Sequence, residues 1–493
     1  MTTRAKSWDL IPNQPAAESL VIGVLILGAC LFGIQTRLLF SLASIWPANA
    51  VLLGILLVRP QSNRPLTWLL AALAYCAADL LAGSSLADAL LLNGANLAGV
   101  ATGLAVARII GGPRLTISLP LDVIRFVVII AAASAGAGIA GGFVSSPVLD
   151  MDGLSGFGLW FAAEVAGYAI VLPVVLSMGA DDPQRFRFLS RNPRHARHQA
   201  AAFLALLVSG GAMHWIGGPG ATTYVVPALL WCAICYRPFA SAVLVLFTCT
   251  WILIASPLGL LPLNTALSNP ADASSFRLGV AMIAVGTFAV SIMSGAWRAI
   301  HSQLLWVASH DALTGLFNRR TFLERLTYWI GHKRAPFSLL MLDVDRFKDI
   351  NDTHGHPAGD GALASLADVL RNQLGADAVV GRLGGEEFAV LIDKPLAKGG
   401  LEAANAVREA VTTLVVHTGG ENAIDMTVSI GACEGRPGCE MSQLLSAADG
   451  ALYAAKRGGR DQVVTATLEL GSAASSNPDG TSRRRRWRAS NAT

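Results

Sequence analysis

The sequence predicts a multi-pass α-helical membrane domain followed by a water-soluble α/β domain. Three observations carry this reading. The chain has 493 residues, of which 53% are hydrophobic and 14% charged, against about 25% charged in a typical soluble domain. The imbalance is confined to residues 19–297, a succession of long apolar runs, while the composition from 298 onward is ordinary. The third observation is the stretch Arg382-Leu383-Gly384-Gly385-Glu386-Glu387-Phe388, set between the apolar runs Ala378–Val380 and Ala389–Ile392. This is a strand–turn–strand pattern. Two glycines permit the positive φ that such a hairpin turn wants, and the turn lifts two adjacent carboxylates to its tip.

A membrane-crossing helix needs about 20 mostly apolar residues. Candidate spans run over 19–34, 39–58, 67–82, 88–107, 126–144, 157–178, 199–216, 222–236, 238–258 and 278–297. The first and eighth are short, so the expectation is eight to ten spans. Residues 1–18 have no signal-peptide cleavage pattern and read as a cytoplasmic N-terminus ahead of a retained anchor. Arg4, Lys6, Arg59, Arg64, Arg108, Arg114, Arg125, Arg185, Arg187, Arg191, Arg194, Arg197, Arg237 and Arg298 fall in alternate loops. The other loops hold Asp150, Asp152 and Asp272, with Arg37 and Arg277 as exceptions. By the positive-inside rule both chain ends are cytoplasmic. Asn49, Asp79, Asn93, Asn96 and Glu164 lie within spans. Asp79 and Glu164 read either as polar glue between helices or as the lining of a ligand or proton-linked site. Of seven cysteines, five are in apolar segments and behave as small hydrophobes. Cys232 and Cys235 lack the second pair or histidine that a metal site needs.

Residues 298–310 continue a helical pattern, with Ile300, Leu304 and Val307 at i, i+4, i+7. They form a signalling helix or a passive spacer. In the soluble part, Asn318 is a candidate helix N-cap, with a helix to about Ile330 and Gly331 as its stop. Phe337–Leu342 is a buried strand ending in Asp343-Val344-Asp345, where strand-end acids form a natural hard-cation site. Phe347–Asp360 is a polar, glycine-bearing loop feeding a helix with Leu363, Leu366, Leu370 and Leu374 inward. There, backbone amides can meet phosphate. Asn351 and Asp360 have the groups to read a guanine edge, or are ordinary loop and cap residues. One residue between His354 and His356, and no third ligand, argues against zinc. A helix over 401–416, an alternating strand over 424–430 and a helix over 441–456 complete the domain. The last helix ends in Lys456-Arg457-Gly458-Gly459-Arg460, cations that complement the helix dipole or hold phosphates. Residues 467–493 read as a disordered basic tail suited to anionic lipid.

Taken together, residues 309–463 resemble the GGDEF domain of diguanylate cyclases. The resemblance rests on Asp311–Arg320, Asp343-Val344-Asp345-x-Phe347-Lys348-x-Ile350-Asn351-Asp352, Gly355-His356-x-x-Gly359-Asp360, Gly384-Gly385-Glu386-Glu387-Phe388 and Leu452-Tyr453-x-Ala455-Lys456-x-x-Gly459-Arg460. It implies a ferredoxin-like α+β domain over 311–466 that converts two GTP into cyclic di-GMP and two pyrophosphates. It implies Mg²⁺, two per site with Mn²⁺ as a substitute, held by Asp343, the Val344 carbonyl and Glu386. Asn351, His356 and Asp360 would hold the nucleotide, and Lys348, Lys456 and Arg460 its phosphates. Glu386 or Glu387 would help deprotonate the attacking 3′-hydroxyl. It also implies a homodimer that brings two GTP-loaded domains face to face, and downstream cyclic di-GMP receptors. No nucleic-acid partner is expected.

Ser44-Ile45-Trp46-Pro47-Ala48-Asn49-Ala50 and Leu159–Gly167 resemble, more weakly, the membrane-associated sensor domains of MASE type, over about 20–297. The family's inhibitory product site, an Arg-x-x-Asp, has no match: Gly375-Ala376-Asp377-Ala378 stands there. No feedback through that site is expected. A silent GTP-binding module and a transporter with a regulatory nucleotide domain are the alternatives. The retained hairpin and strand-end acids weigh against the first.

Overall fold

The computed structural model describes residues 14–39, 42–111, 119–149, 151–178, 186–190, 192–263, 269–375, 378–414, 416–417 and 423–468. The predicted basic tail, apart from its first two residues, lies outside them, as do Arg4, Lys6, Arg114, Asp150, Arg185, Arg191 and Asp377. The chain divides into two compact units, Met1–Ile300 and His301–Thr493.

In the first unit each expected span has a helix: α1 (Pro15–Gln35), α2 (Pro47–Val58), α3 (Pro65–Leu81), α4 (Leu86–Gly111), α5 (Pro120–Leu149), α6 (Gly153–Met178), α7 (Pro193–Ile216), α8 (Val226–Cys235), α9 (Pro238–Ala255) and α10 (Pro270–Ser309). Seven of these ten begin on proline, whose fixed φ suits a first helical turn and whose missing N–H is not needed there. Seven helices, counted among the described residues, are long and apolar enough to cross a membrane; α2, α3 and α8 are shorter. The expected span at 39–58 is corrected. Arg37–Leu39 (β1) and Leu42–Ala43 (β2) pair antiparallel, and the helix starts only at Pro47. Trp46, forced out of the helical region by the proline after it, sits at φ −118°, ψ 90°.

The polar groups picked out in the spans meet one another. Arg37 reaches Asp79 at 2.5 Å, and Asn93 donates to the other Asp79 oxygen at 2.8 Å. Asn96 donates to Asn93, and Asn49 donates to both Asn96 and Glu164, the last at 2.7 Å. Tyr75 donates to Asn49 at 2.6 Å. This chain of bonds ties α2, α3, α4 and α6 together, as polar glue does.

The second unit is a six-stranded mixed sheet with helices on both faces. Its elements are β3 (Phe317–Asn318), α11 (Arg319–His332), β4 (Phe337–Val344), α12 (Phe347–His354), α13 (His356–Leu374), β5 (Val379–Gly384), β6 (Glu387–Ile392), α14 (Gly400–Thr412), β7 (Val416–His417), β8 (Ala423–Ile424), β9 (Val428–Gly435), α15 (Met441–Arg457) and β10 (Val463–Ala466). The strand order is β10-β9-β4-β6-β5-β3, with β7 and β8 forming a separate pair. Strand β4 is central and wholly buried, antiparallel to both neighbours. Its alternation divides the core. Leu340, Leu342 and Val344 pack with α13 and α14; Phe337, Leu339 and Met341 pack with α11 and α15.

Four sequence expectations change here. The helix expected over 401–416 is α14, which ends at Thr412, and Val416 lies in β7. Gly331 does not stop α11, which runs on to His332. Part of the segment expected as a polar loop is helix α12, divided from α13 by Gly355 at φ 82°. The strand expected at 424–430 begins at Val428 and runs to Gly435. It is buried because it lies between β4 and β10.

Candidate active site

The site forms where β4 ends. Asp343 continues the β4 face that packs on α15, which explains its partner. Lys456, in the last turn of α15, donates to Asp343 Oδ2 at 2.7 Å. Asp343 is only 5% exposed. Burial pushes its carboxyl up; the Lys456 bond and charge pull it back, Asp345 adds a rise and Arg460 a fall. The net position is above the ordinary carboxylate value.

Opposite stands the hairpin of β5 and β6. Asp343 is in register with Glu387, and the Val344 amide donates to the Glu386 carbonyl at 3.4 Å. The backbone carrying Glu386 is therefore bonded directly to the end of β4. The turn itself uses positive φ at Gly384 (153°) and Gly385 (53°). Arg382 holds it from inside: Nε and Nη2 donate to the Gly385 carbonyl at 3.0 and 2.7 Å. Arg382 Nη1 is in turn held by Asp311 at 3.0 Å. Burial alone would raise the Asp311 carboxyl, but hydrogen bonds from Thr314 and from Arg382 hold it below its usual range.

Asp345 is a scaffold group. It accepts from Thr427 at 2.8 Å, Ser429 at 2.6 Å and the Asp461 amide at 3.0 Å. Those bonds pin the turn after α15, where Arg460 and Asp461 adopt φ 66° and 43°. Arg346, the residue after Asp345, has φ 54°. Non-glycine residues pay for this conformation and persist in it only where the surroundings impose it.

On α12 and α13, Asn351 lies against Gly359, the residue that precedes Asp360. A β-carbon there would meet the Asn351 Oδ1 at 2.0 Å, so only glycine lets that amide lie against α13. Lys348 and His356 are exposed on the same two helices, and Asp360 is exposed beside Gly359.

No group of three or more His, Cys, Asp or Glu side chains poised for a metal occurs among the described residues. The donors at the end of β4 nonetheless suit a hard cation: an all-oxygen set with a buried carboxylate whose present partner is an ammonium. Sequence reasoning did not assign roles to Arg382 or Asp311, and it counted Asp345 with Asp343 as a strand-end acid for a cation, whereas Asp345 is taken up by Thr427, Ser429 and the Asp461 amide. An arginine three residues before the second turn glycine was the available signal.

A family model described as "Diguanylate cyclase, GGDEF domain" matches residues 308–462. A protein of Escherichia coli (strain K12) named "Probable diguanylate cyclase DgcF" is 30% identical over 319 residues, covering 63% of this chain and 98% of that protein. The chain belongs to the GGDEF-domain diguanylate cyclases. The protein of the same name from Escherichia coli O157:H7 is 27% identical over 448 residues, covering 89% of this chain and 92% of that protein. Similarity to this diguanylate cyclase therefore extends through the helical unit. A crystal structure of the coiled coil and GGDEF domain of DgcB from Caulobacter crescentus in complex with c-di-GMP is 31% identical. It covers 34% of this chain and 92% of that one, with a TM-score of 0.33.

Proposed function

We propose that this diguanylate cyclase is a membrane-tethered, signal-regulated enzyme that makes cyclic di-GMP from two GTP at the end of β4, with Mg²⁺ held by Asp343, the Val344 carbonyl and Glu386. The observation that carries the reading is the buried Asp343 carboxylate bonded to Lys456, with the Glu386 backbone joined to the next residue. When bound, the ions lower the pKa of the attacking 3′-hydroxyl and spread the charge of the leaving pyrophosphate. The chain's own groups do the rest. Glu386 or Glu387 accepts the hydroxyl proton. Lys348, Lys456 and Arg460 meet phosphate oxygens. Asn351 and Asp360 accept from and orient the guanine, with His356 beside them. With GTP and metal bound, Lys456 exchanges the Asp343 carboxylate for phosphate.

Each protomer holds one GTP, so the reaction needs two copies with their sites facing. Ile300, Leu304 and Val307 leave an apolar stripe exposed at the end of α10, a suitable helix–helix contact for that dimer. The first unit is the sensor, of MASE type, in a bacterial inner membrane with the cyclase on the cytoplasmic side. The product goes to cyclic di-GMP receptors.

The test is the full chain in detergent with GTP and either Mg²⁺, Mn²⁺ or chelator, beside Glu386→Gln and Asp343→Asn. Cyclic di-GMP from the parent with metal, and none from the variants, supports the reading. GTP binding without product, in a sample shown to be dimeric, would replace it with the silent binding module.

A further inference from the structure

Six charged side chains are buried in the described part of the first unit: Glu18, Arg59, Asp79, Asp122, Glu164 and Arg277. Four are paired with opposite charges. Glu18 meets Arg59 at 3.0 Å and Arg64 at 3.4 Å, Asp79 meets Arg37, and Asp122 meets Arg125 at 3.0 Å. Glu164 is bonded to Asn49, and a buried carboxyl has a further outlet in taking up a proton. Arginine has no such outlet, since its guanidinium stays charged.

Arg277 is 3% exposed, and no carboxylate lies within ion-pair distance of it among the described residues. Its Nη2 donates to the Ala43 carbonyl at 3.2 Å, and its Nη1 is buried with no partner. The residue after Ala43 repeats the pattern: the Ser44 hydroxyl is buried and without a partner. One unused donor, cationic, thus lies beside the short segment that leads from β2 to α2, through the Arg277–Ala43 bond, and a second sits on the segment at Ser44. An unpaired buried charge costs several kcal/mol per ion, and a fold does not carry that without a counter-charge. The missing partner is an acceptor with negative charge.

We propose that Arg277 and Ser44 bind a small anion, a halide or a short carboxylate, between α10 and the β2–α2 segment. Arg277 Nη1 supplies the charge and one donor, and Ser44 Oγ supplies a second. About 31 Å of helix separates Arg277 from Arg298 on α10, so the site lies at the end of the unit remote from the basic Arg298. The proposal concerns binding alone and stands whether or not the cyclase assignment of residue roles holds.

The experiment follows the thermal unfolding of the full chain in detergent by tryptophan fluorescence, in low-salt HEPES. Sodium chloride, sodium acetate or sodium sulfate is titrated at matched ionic strength. The site predicts a saturable rise of about 3 °C or more with chloride or acetate. A response to chloride marks a halide site, and one to acetate alone a carboxylate site. Arg277→Gln is expected to abolish the saturable rise and, before any salt is added, to unfold no lower than the parent, because it removes an uncompensated charge. Ser44→Ala is expected to keep the midpoint seen before salt is added and weaken the apparent affinity at least threefold. The proposal is overturned if all three salts raise the parent alike and Arg277→Gln retains the rise. It is equally overturned if no anion shifts the parent while Arg277→Gln unfolds lower. Should Arg277→Gln not fold, an unchanged affinity in Ser44→Ala overturns it.

Discussion

Arg382 offers the sharpest test of how the hairpin works. Its guanidinium touches no reacting group; it clamps the Gly385 carbonyl from two nitrogens and is itself anchored on Asp311. Arg382→Ala removes a charge-assisted hydrogen bond worth about 1.5–3 kcal/mol. Gly385 is exposed, so water takes over its carbonyl and no buried-acceptor penalty is added. The loss is therefore one of position. If all of it is felt in the transition state, kcat/KM falls about 10- to 100-fold, since each 1.4 kcal/mol is a factor of ten. The fall belongs mostly in kcat, because the hairpin presents acids while Asn351 and Asp360 lie on other helices. The assay is cyclic di-GMP formation over a range of GTP, with Arg382→Ala, Asp311→Ala and the double variant. The two single losses should be non-additive by about 1 kcal/mol, as for residues in one network. Arg320→Ala, which breaks an ion pair whose partners are 84% and 61% exposed, is the control and should change little. A kcat/KM for Arg382→Ala within threefold of the parent would refute the clamp.

Other outcomes follow from the same geometry. Asp343→Asn should abolish product yet stabilise the metal-free protein at neutral pH. Its carboxyl lies above the ordinary value when folded, so its contribution is favourable at low pH and is lost as pH rises through the folded value. The parent's metal-free unfolding midpoint should thus fall, relative to Asp343→Asn, as pH rises above about 4; parallel profiles would contradict this. Gly359→Ala drives a β-carbon to 2.0 Å from the Asn351 Oδ1 and should raise KM for GTP by about tenfold with a smaller change in kcat; an unchanged KM would separate Asn351 from nucleotide binding. Cyclic di-GMP added at low micromolar concentration should leave the initial rate unchanged, because Gly375 and Ala378 stand where an Arg and an Asp would be needed; clear inhibition would point to another product site.

Much of the organisation is legible in the sequence. Apolar runs bounded by Pro15, Pro47, Pro65, Pro120, Pro193, Pro238 and Pro270 mark helices, because the first turn is where a helix best tolerates proline. Gly384-Gly385 marks the hairpin, because positive φ at both positions is cheap for glycine alone. The acids of the site were visible as residues at a strand end and a turn, since a period of two and a turn signal are local properties. What the sequence could not decide were choices between partners far apart in the chain. Asp343 and Asp345 look alike in sequence. In the fold one faces α15 and Lys456, while the other is consumed by Thr427, Ser429 and the Asp461 amide. The period of two puts both on one face, so the difference is set by the neighbour each meets at the strand end: the last turn of α15 for Asp343, the start of β9 and the turn after α15 for Asp345. The same holds for Arg382 and Asp311, whose bond spans 71 residues, and for Arg277. Its sequence shows only a basic residue in an unexpected loop; packing decides that it is buried beside Ala43 with a donor unused. Local rules fix periodicity and turns, but desolvation and pairing of charges depend on which elements come to lie alongside.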